Sequence, residues 1–286
     1  MPSQSDRQIV RHLARIAAVL EKKHGDSAVE RGNAPRFDTH CAFAWDGMEE
    51  CLKAVDSFAP LPLSCLIGIA GQKQRLYDNT ERFAKGKPAN SALLWGARGC
   101  GKSALVKAVV ADLRPHHPDL VIVEIARDDL WSLPALAALI RRHADKRFIV
   151  FCDDLSFQAD DGLGKALKTL LDGGLDSKPD NAVLYATSNR RHLIPREMTE
   201  NEARAAIHSR EAQDEHIALS DRFGLWIGFH PVTQDQYLAM VESYAVYFAL
   251  ADKKSGQTLV REALEWAAER GGFSGRVAWQ FIQSVR

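Results

Sequence analysis

Three observations predict an α/β fold: a five-stranded parallel sheet flanked by helices, followed by a C-terminal helical unit. First, five short apolar runs rich in β-branched and aromatic residues recur along the chain: ALLW within 91–95, LVIVEI at 120–125, FIVFC at 148–152, AVLYAT at 182–187 and LWIGF at 225–229. Second, helical patterns separate them, and continuous apolar strands alternating with helices mark a parallel sheet buried on both faces. Third, beyond Pro231 only helical periodicity remains.

The elements follow in order. Residues 5–22 place Ile9, Val10, Leu13, Ile16, Ala17 and Leu20 on one helical face, with Ser5 and Gln8 as a capping box. Residues 24–65 carry Gly25, Gly32, Pro35, Pro60 and Pro62, and Phe37, Phe43 and Trp45 read as packing residues. Together, residues 1–64 are expected to form a helical region packing on the core. A helix near 72–83 leads through KGKPAN into the first strand, and a helix over 103–113 stops at Arg114-Pro115. The α/β core is expected over 65–231. A helical lid over 232–286 is expected from helices near 234–251, near 257–270 before Gly271-Gly272, and after Ser274.

Composition narrows the class. With 286 residues, 46% of them apolar, the chain can bury a sizeable core. Lysine plus arginine equals aspartate plus glutamate at 37 each, so no overall basic field draws it to nucleic acid or to an anionic membrane. The five cysteines form no C-x-x-C pair, which fits reduced thiols in the cytoplasm. Cys152, inside an apolar run, reads as core. The opening MPSQSDRQIVRHLARI has no uninterrupted apolar segment and is not expected to act as a secretion signal, and no stretch approaches a membrane span.

The residues that carry chemistry begin with GARGCGKS, Gly96 to Ser103, set between the first strand and a helix. This is the spacing of a phosphate-binding loop, the Walker A pattern. Its glycines let backbone N–H groups converge on phosphate, and the helix N-terminus adds partial positive charge. Gly96, Ala97, Arg98, Gly99, Cys100, Gly101, Lys102, Ser103 and Ala104 are therefore candidate nucleotide-binding residues, with Lys102 neutralising phosphate oxygens and Ser103 ligating Mg²⁺. Arg98 and Cys100 occupy variable positions and need no special role.

About 50 residues on, the apolar strand FIVFC ends in Asp153 and Asp154. Carboxylates at the carboxyl end of a parallel strand lie where α/β sheets hold ligands. Asp153 is the candidate metal ligand, and Asp154 the candidate that polarises an attacking water. The next strand ends in Thr187, Ser188 and Asn189, whose amide can hold that water or a terminal phosphate. Arg222, just before the last strand, and Arg276, at the start of the last helix, can neutralise transition-state charge in cis or in trans; a lone arginine would read as a surface ion pair, but their positions among the other motifs favour the site.

In this order these motifs resemble an AAA+ ATPase over about residues 65–286. More narrowly, LLWGARGCGKSALVKA, FCDDLSF, YATSNRRHLIP, LSDRFGLW and SGRVAWQF are similar to the bacterial family known as domain of unknown function 815. The double aspartate and the SDRF box are also similar to the replication-initiator and helicase-loader branch.

The resemblance implies ATP or ADP with Mg²⁺ as cofactors and a homo-oligomer whose site is completed between subunits. It casts Asn189 as sensor 1, Arg222 as an arginine finger reaching the neighbouring protomer, and Arg276 as the lid's sensor 2. The adenine is expected near Ile67, in LIGI at 66–69. The expected activity is ATP hydrolysis coupled to remodelling or loading of a protein or nucleic-acid client, with no membrane partner.

An alternative is a nucleotide-gated switch that hydrolyses weakly, since many ATPases carry glutamate where this chain has Asp154. A small-molecule kinase would leave Asn189 and SDRF unexplained, and a GTPase would need an N-K-x-D motif that the chain lacks. Trp131, in ARDDLWSLP, reads as a packing residue.

Overall fold

The computed structural model describes residues 35–155, 167, 171, 178–189, 221–250 and 256–286. The chain divides into two compact units, Met1–Arg36 and Phe37–Arg286, and the sheet, the helices and the cleft all belong to the second. The helix expected over 5–22 lies outside the described residues, as do Arg190, Arg191 and His192.

Seven strands form one sheet: β1 (Ala42–Asp46), β2 (Cys51–Ala54), β3 (Ala92–Gly96), β4 (Leu120–Ile125), β5 (Arg147–Cys152), β6 (Ala182–Ser188) and β7 (Leu225–Phe229). Their order is β2-β1-β4-β5-β6-β3-β7. All neighbours pair in parallel except β1 with β2, so the sheet is mixed.

The five expected strands are all present, and the expected count of five is corrected to seven. The two additional strands arise within 24–65, where helix was expected. Phe43 and Trp45 alternate along β1, Asp46-Gly47 opens the turn, and β1 lies alongside β4 with Phe43 opposite Val123. A two-residue alternation is a strand signal, but a strand this short is stabilised by its neighbour more than by its own composition. Phe43 and Trp45 do pack in the core, as expected.

Among the described residues, the helices with described bounds are α1 (Ala70–Ala84), α2 (Lys102–Leu113), α3 (Leu133–Arg142), α4 (Gln234–Tyr247), α5 (Gly256–Glu269) and α6 (Gly275–Val285). Along β5, Phe148, Val150 and Cys152 face α3, whereas Ile149 and Phe151 face α1 and α2. Strands buried on both faces lose the polar alternation of a half-exposed sheet, which is why they read as unbroken apolar runs.

One layer joins Leu133, Leu136 and Ile140 of α3 to the sheet; the other joins Leu76 and Phe83 of α1 with Leu105 and Val109 of α2. A third cluster holds α4, α5 and α6 together around Tyr237, Tyr244, Ala263, Phe281 and Ile282. Helix α4 opens after Pro231 with a capping box between Thr233 and Gln236.

Trp131 departs from expectation. It sits 52% exposed on a 3₁₀ turn over Arg127–Ser132, while its neighbours Leu130 and Ser132 are buried. The turn is fixed by Ser132, whose Oγ accepts from Trp45 Nε1 at 2.7 Å and donates to the Asp129 carbonyl. With both of its neighbours turned into the core, Trp131 is left to project outward.

Asn181, at the entry to β6, ties down the turn between α3 and β5: its Nδ2 donates to the carbonyls of Ile140, His143 and Lys146 at 3.0–3.2 Å. Asn181 is buried, so truncation strands polar backbone. Asn181→Ala is expected to cost about 1–3 kcal/mol, lowering the thermal midpoint by about 2–4 °C for each kcal/mol. A melt within one degree of wild type would show that water replaces the amide.

Candidate functional site

Because β6 lies between β5 and β3, residues that follow the carboxyl ends of these three strands converge at one edge of the sheet. There a cleft of about 620 Å³ opens between the loop after β3, the strand ends and helix α6. Its size falls in the range of about 300–1,000 Å³ usual for small-molecule sites.

The loop from Gly96 to Lys102 is shaped by close packing. A Cβ on Gly96 would stand 1.9 Å from the Phe229 carbonyl oxygen of β7, so only glycine fits. Gly101 precedes α2 with φ +90°, a left-handed conformation that suits glycine. No side chain caps the N-terminus of α2, which leaves its first N–H groups able to meet an anion.

Lys102 folds back under this loop. Its Nζ donates to the carbonyls of Gly96 at 2.9 Å and Ala97 at 2.8 Å, and to Asn189 Oδ1 at 3.1 Å. Only 7% of the residue is exposed. Burial holds its pKa below the ordinary lysine value, against the opposing pull of Asp153 and Asp154. An ammonium has three protons to donate, and here each has an oxygen acceptor.

The acid pair is equally engaged. Asp153 Oδ1 accepts from Ser103 Oγ at 2.6 Å and from Thr187 Oγ1 at 2.5 Å. Asp154 has φ +53°, and its N–H donates to Thr187 Oγ1 at 2.9 Å. Its side chain accepts from Asn189 Nδ2 at 2.5 Å. Asn189 thus links the loop lysine to the second acid, and one hydrogen-bonded network runs from Ser103 through the ends of β5 and β6 back to Lys102.

Ser103 and Asp153 present two hard oxygen donors in contact, a set that suits magnesium better than a softer ion. Among the described residues no separate cluster of three or more histidine, cysteine or acidic side chains could hold a metal.

Arg98 and Arg276 line the cleft mouth, both exposed. Helix α6 is seated directly on the loop: Arg276 N–H donates to the Gly99 carbonyl at 3.2 Å. Gly99 has φ +72°, and a Cβ there would come within 3.0–3.2 Å of Ser274 Oγ and Arg276 Cβ.

The structure brings together Gly99, Gly101, Lys102, Ser103, Ala104, Asp153, Asp154, Asn189, Arg98 and Arg276 as cleft lining. Gly96, Ala97 and Cys100 belong to the same loop but do not line the cleft. Cys100 is buried, and burial pushes its thiol pKa up, so it is not held as a reactive thiolate. Ile67 does not line the cleft either; it packs against the C-terminal helices, and Leu61 and Leu66 face the cleft instead.

Arg222 lies before β7, whose Leu225 pairs with Ala92 at the amino end of β3. The loop leaves β3 at the opposite end, where Gly96 meets Phe229, four residues or about 13 Å further along. Arg222 therefore stands at the far end of the sheet from its own chain's cleft.

Three contributors carry little signal in the sequence. Tyr244 of α4 and Trp279 of α6, ring centroids 5.7 Å apart, form an aromatic side of the cleft. Thr187 is visible there only as one polar residue at a strand end, and nothing local marks it as the bridge between two acids.

The family described as "Protein of unknown function (DUF815)" matches residues 38–286. No protein of curated function matches the chain. Solved structures with a similar trace include the Aeropyrum pernix ORC2 protein in ADPNP-ADP complexes, with TM-score 0.48 and 14% identity over 80% of this chain and 70% of that one. The Aeropyrum pernix ORC1 protein in complex with DNA gives 0.46 and 15% over 81% and 71%. The Thermotoga maritima RuvB Holliday junction branch migration motor gives 0.47 and 13% over 79% and 72%. Likeness at this level concerns the chain trace alone.

The seat of α6 on the loop can be measured by comparing two glycines. Gly271 also has a left-handed φ, +78°, but a Cβ there meets open space. Gly271→Ala is expected to cost only the backbone penalty of about 1–2 kcal/mol. Gly99→Ala is expected to cost more, read as a larger fall in urea midpoint. Equal shifts would mean that the contact between loop and helix adds nothing to stability.

Proposed function

Because this chain belongs to the DUF815 family, described only as proteins of unknown function, its activity must be read from its own site, and we propose that it is an AAA+ ATPase. In this reading the cleft takes ATP with Mg²⁺. The observation that carries it is the single network joining Lys102, Asn189, Asp154, Thr187, Asp153 and Ser103 across α2, β5 and β6.

Each group has a task that its chemistry suits. Lys102 exchanges the loop carbonyls for phosphate oxygens, and the uncapped N-terminus of α2 receives the remaining negative charge. Ser103 and Asp153 would hold magnesium, which when bound offsets the charge of the terminal phosphates. Asp154 orients the attacking water, and Asn189 keeps Asp154 aligned with the lysine. Arg276, on the helix seated on the loop, senses the nucleotide from the lid formed by α4, α5 and α6. The aromatic side made by Tyr244 and Trp279, with Leu61 and Leu66, receives the base.

Arg222 acts in trans. Its place at the amino end of β7 puts it out of reach of its own cleft and suits it to a neighbouring subunit's, so the working form is a homo-oligomer. The energy of hydrolysis is directed to remodelling or loading a protein or nucleic-acid client.

Three variants test the scheme. Lys102→Ala is expected to abolish nucleotide binding in a fluorescent-ATP titration. Asp154→Asn is expected to retain nucleotide while turnover falls by about a hundredfold or more; unchanged turnover would remove Asp154 from the mechanism. Arg222→Ala is expected to lower turnover by about a thousandfold, and wild-type turnover per subunit should rise with protein concentration. A wild-type rate independent of concentration would refute the shared site.

A further inference from the structure

The Thr187 hydroxyl both donates and accepts inside the cleft. Only 1% of the residue is exposed. The hydroxyl donates to Asp153 Oδ1 and accepts the Asp154 N–H, while the Thr187 carbonyl accepts the Leu155 N–H at 2.7 Å. One residue of β6 thus holds three successive residues where β5 ends. Asn189, just past the end of the strand, holds the Asp154 side chain.

Two features give this grip consequences. Asp154 occupies a left-handed conformation, which aspartate adopts more readily than most side chains but which its surroundings must still restrain. The N–H bond to Thr187 supplies that restraint. Asp153 Oδ1 also has a second partner in Ser103, whose hydroxyl oxygen keeps lone pairs for a cation while its proton donates to the carboxylate. Of the two side-chain donors on that oxygen, Thr187 is the one that is not itself a candidate cation ligand. Its hydroxyl can donate and accept at once, which valine of the same shape cannot do, and its branched Cβ suits a buried strand.

We propose that Thr187 is a positioning residue: its buried hydroxyl fixes the Asp153 carboxylate and the Asp154 backbone in the geometry required by a divalent cation bound together with nucleotide. The inference rests on the reading of the cleft as a magnesium-nucleotide site and assigns to that site a residue that touches neither ligand. Partners of metal ligands typically contribute about 10–100-fold to metal affinity, so the effect belongs to cation dependence rather than to nucleotide contact.

The experiment is a titration of the full chain with fluorescent ATP, first in EDTA and then across a range of Mg²⁺. For Thr187→Val the Mg²⁺ concentration at half-saturation is expected to rise about tenfold or more, with affinity in EDTA unchanged. Thr187→Ser should titrate close to wild type, because it keeps the hydroxyl. If the valine variant fails to fold, Thr187→Ala takes its place: alanine and serine both lose the methyl group, and only serine keeps the donor.

A valine titration identical to wild type, or alanine and serine variants with the same Mg²⁺ requirement, would overturn the assignment and leave the nucleotide site standing. A wild-type chain that binds no nucleotide, or binds it without regard to Mg²⁺, would overturn the nucleotide reading and Thr187's role together.

Discussion

The site depends on one constraint: a lysine ammonium placed under a backbone loop, almost out of water, must find oxygen acceptors. Burying a charge without partners would cost many times what a single contact returns. Lys102 meets the requirement with two carbonyls of its own loop and the Asn189 amide. Meeting it holds the loop curled and ties it to the end of β6. The same strand end then grips the acid pair through Thr187 and Asn189. Loop, acids and amide are therefore one hydrogen-bonded unit.

The remaining architecture serves that unit. Inserting β6 between β5 and β3 puts its polar end within reach of both the lysine and the acids. The pairing of β3 with β7 presses Phe229 against Gly96, so the loop starts from a rigid edge. On the other side α6 sits on Gly99 through a main-chain hydrogen bond. The loop and the C-terminal helices therefore meet through backbone rather than through long side chains. This is the kind of short, two-ended contact by which ligand binding can move a packed element.

The three candidate arginines divide between the cleft and the far end of the sheet. Arg98 and Arg276 stand at the cleft mouth, whereas Arg222 stands at the opposite end of the sheet. Trp131, expected to be packing, projects outward because both of its neighbours are buried.

The sequence alone determined the features whose physics is local. Apolar runs of strand length identified β3, β4, β5, β6 and β7 within about a residue, because strands buried on both faces need no partner to be recognised. The glycine spacing before Lys102 and the acids ending β5 were legible for the same reason: backbone curvature and charge are carried by adjacent residues. Tertiary structure decided whatever depends on a neighbour distant in sequence. It recruited residues 42–54 as strands by offering the edge of β4. It turned Leu61 and Leu66, not Ile67, toward the cleft. It made Thr187 a bridge between acids more than thirty positions away. Which residue faces which depends on how strands are ordered across the sheet, and that order is set by the packing of the whole core rather than by any one segment.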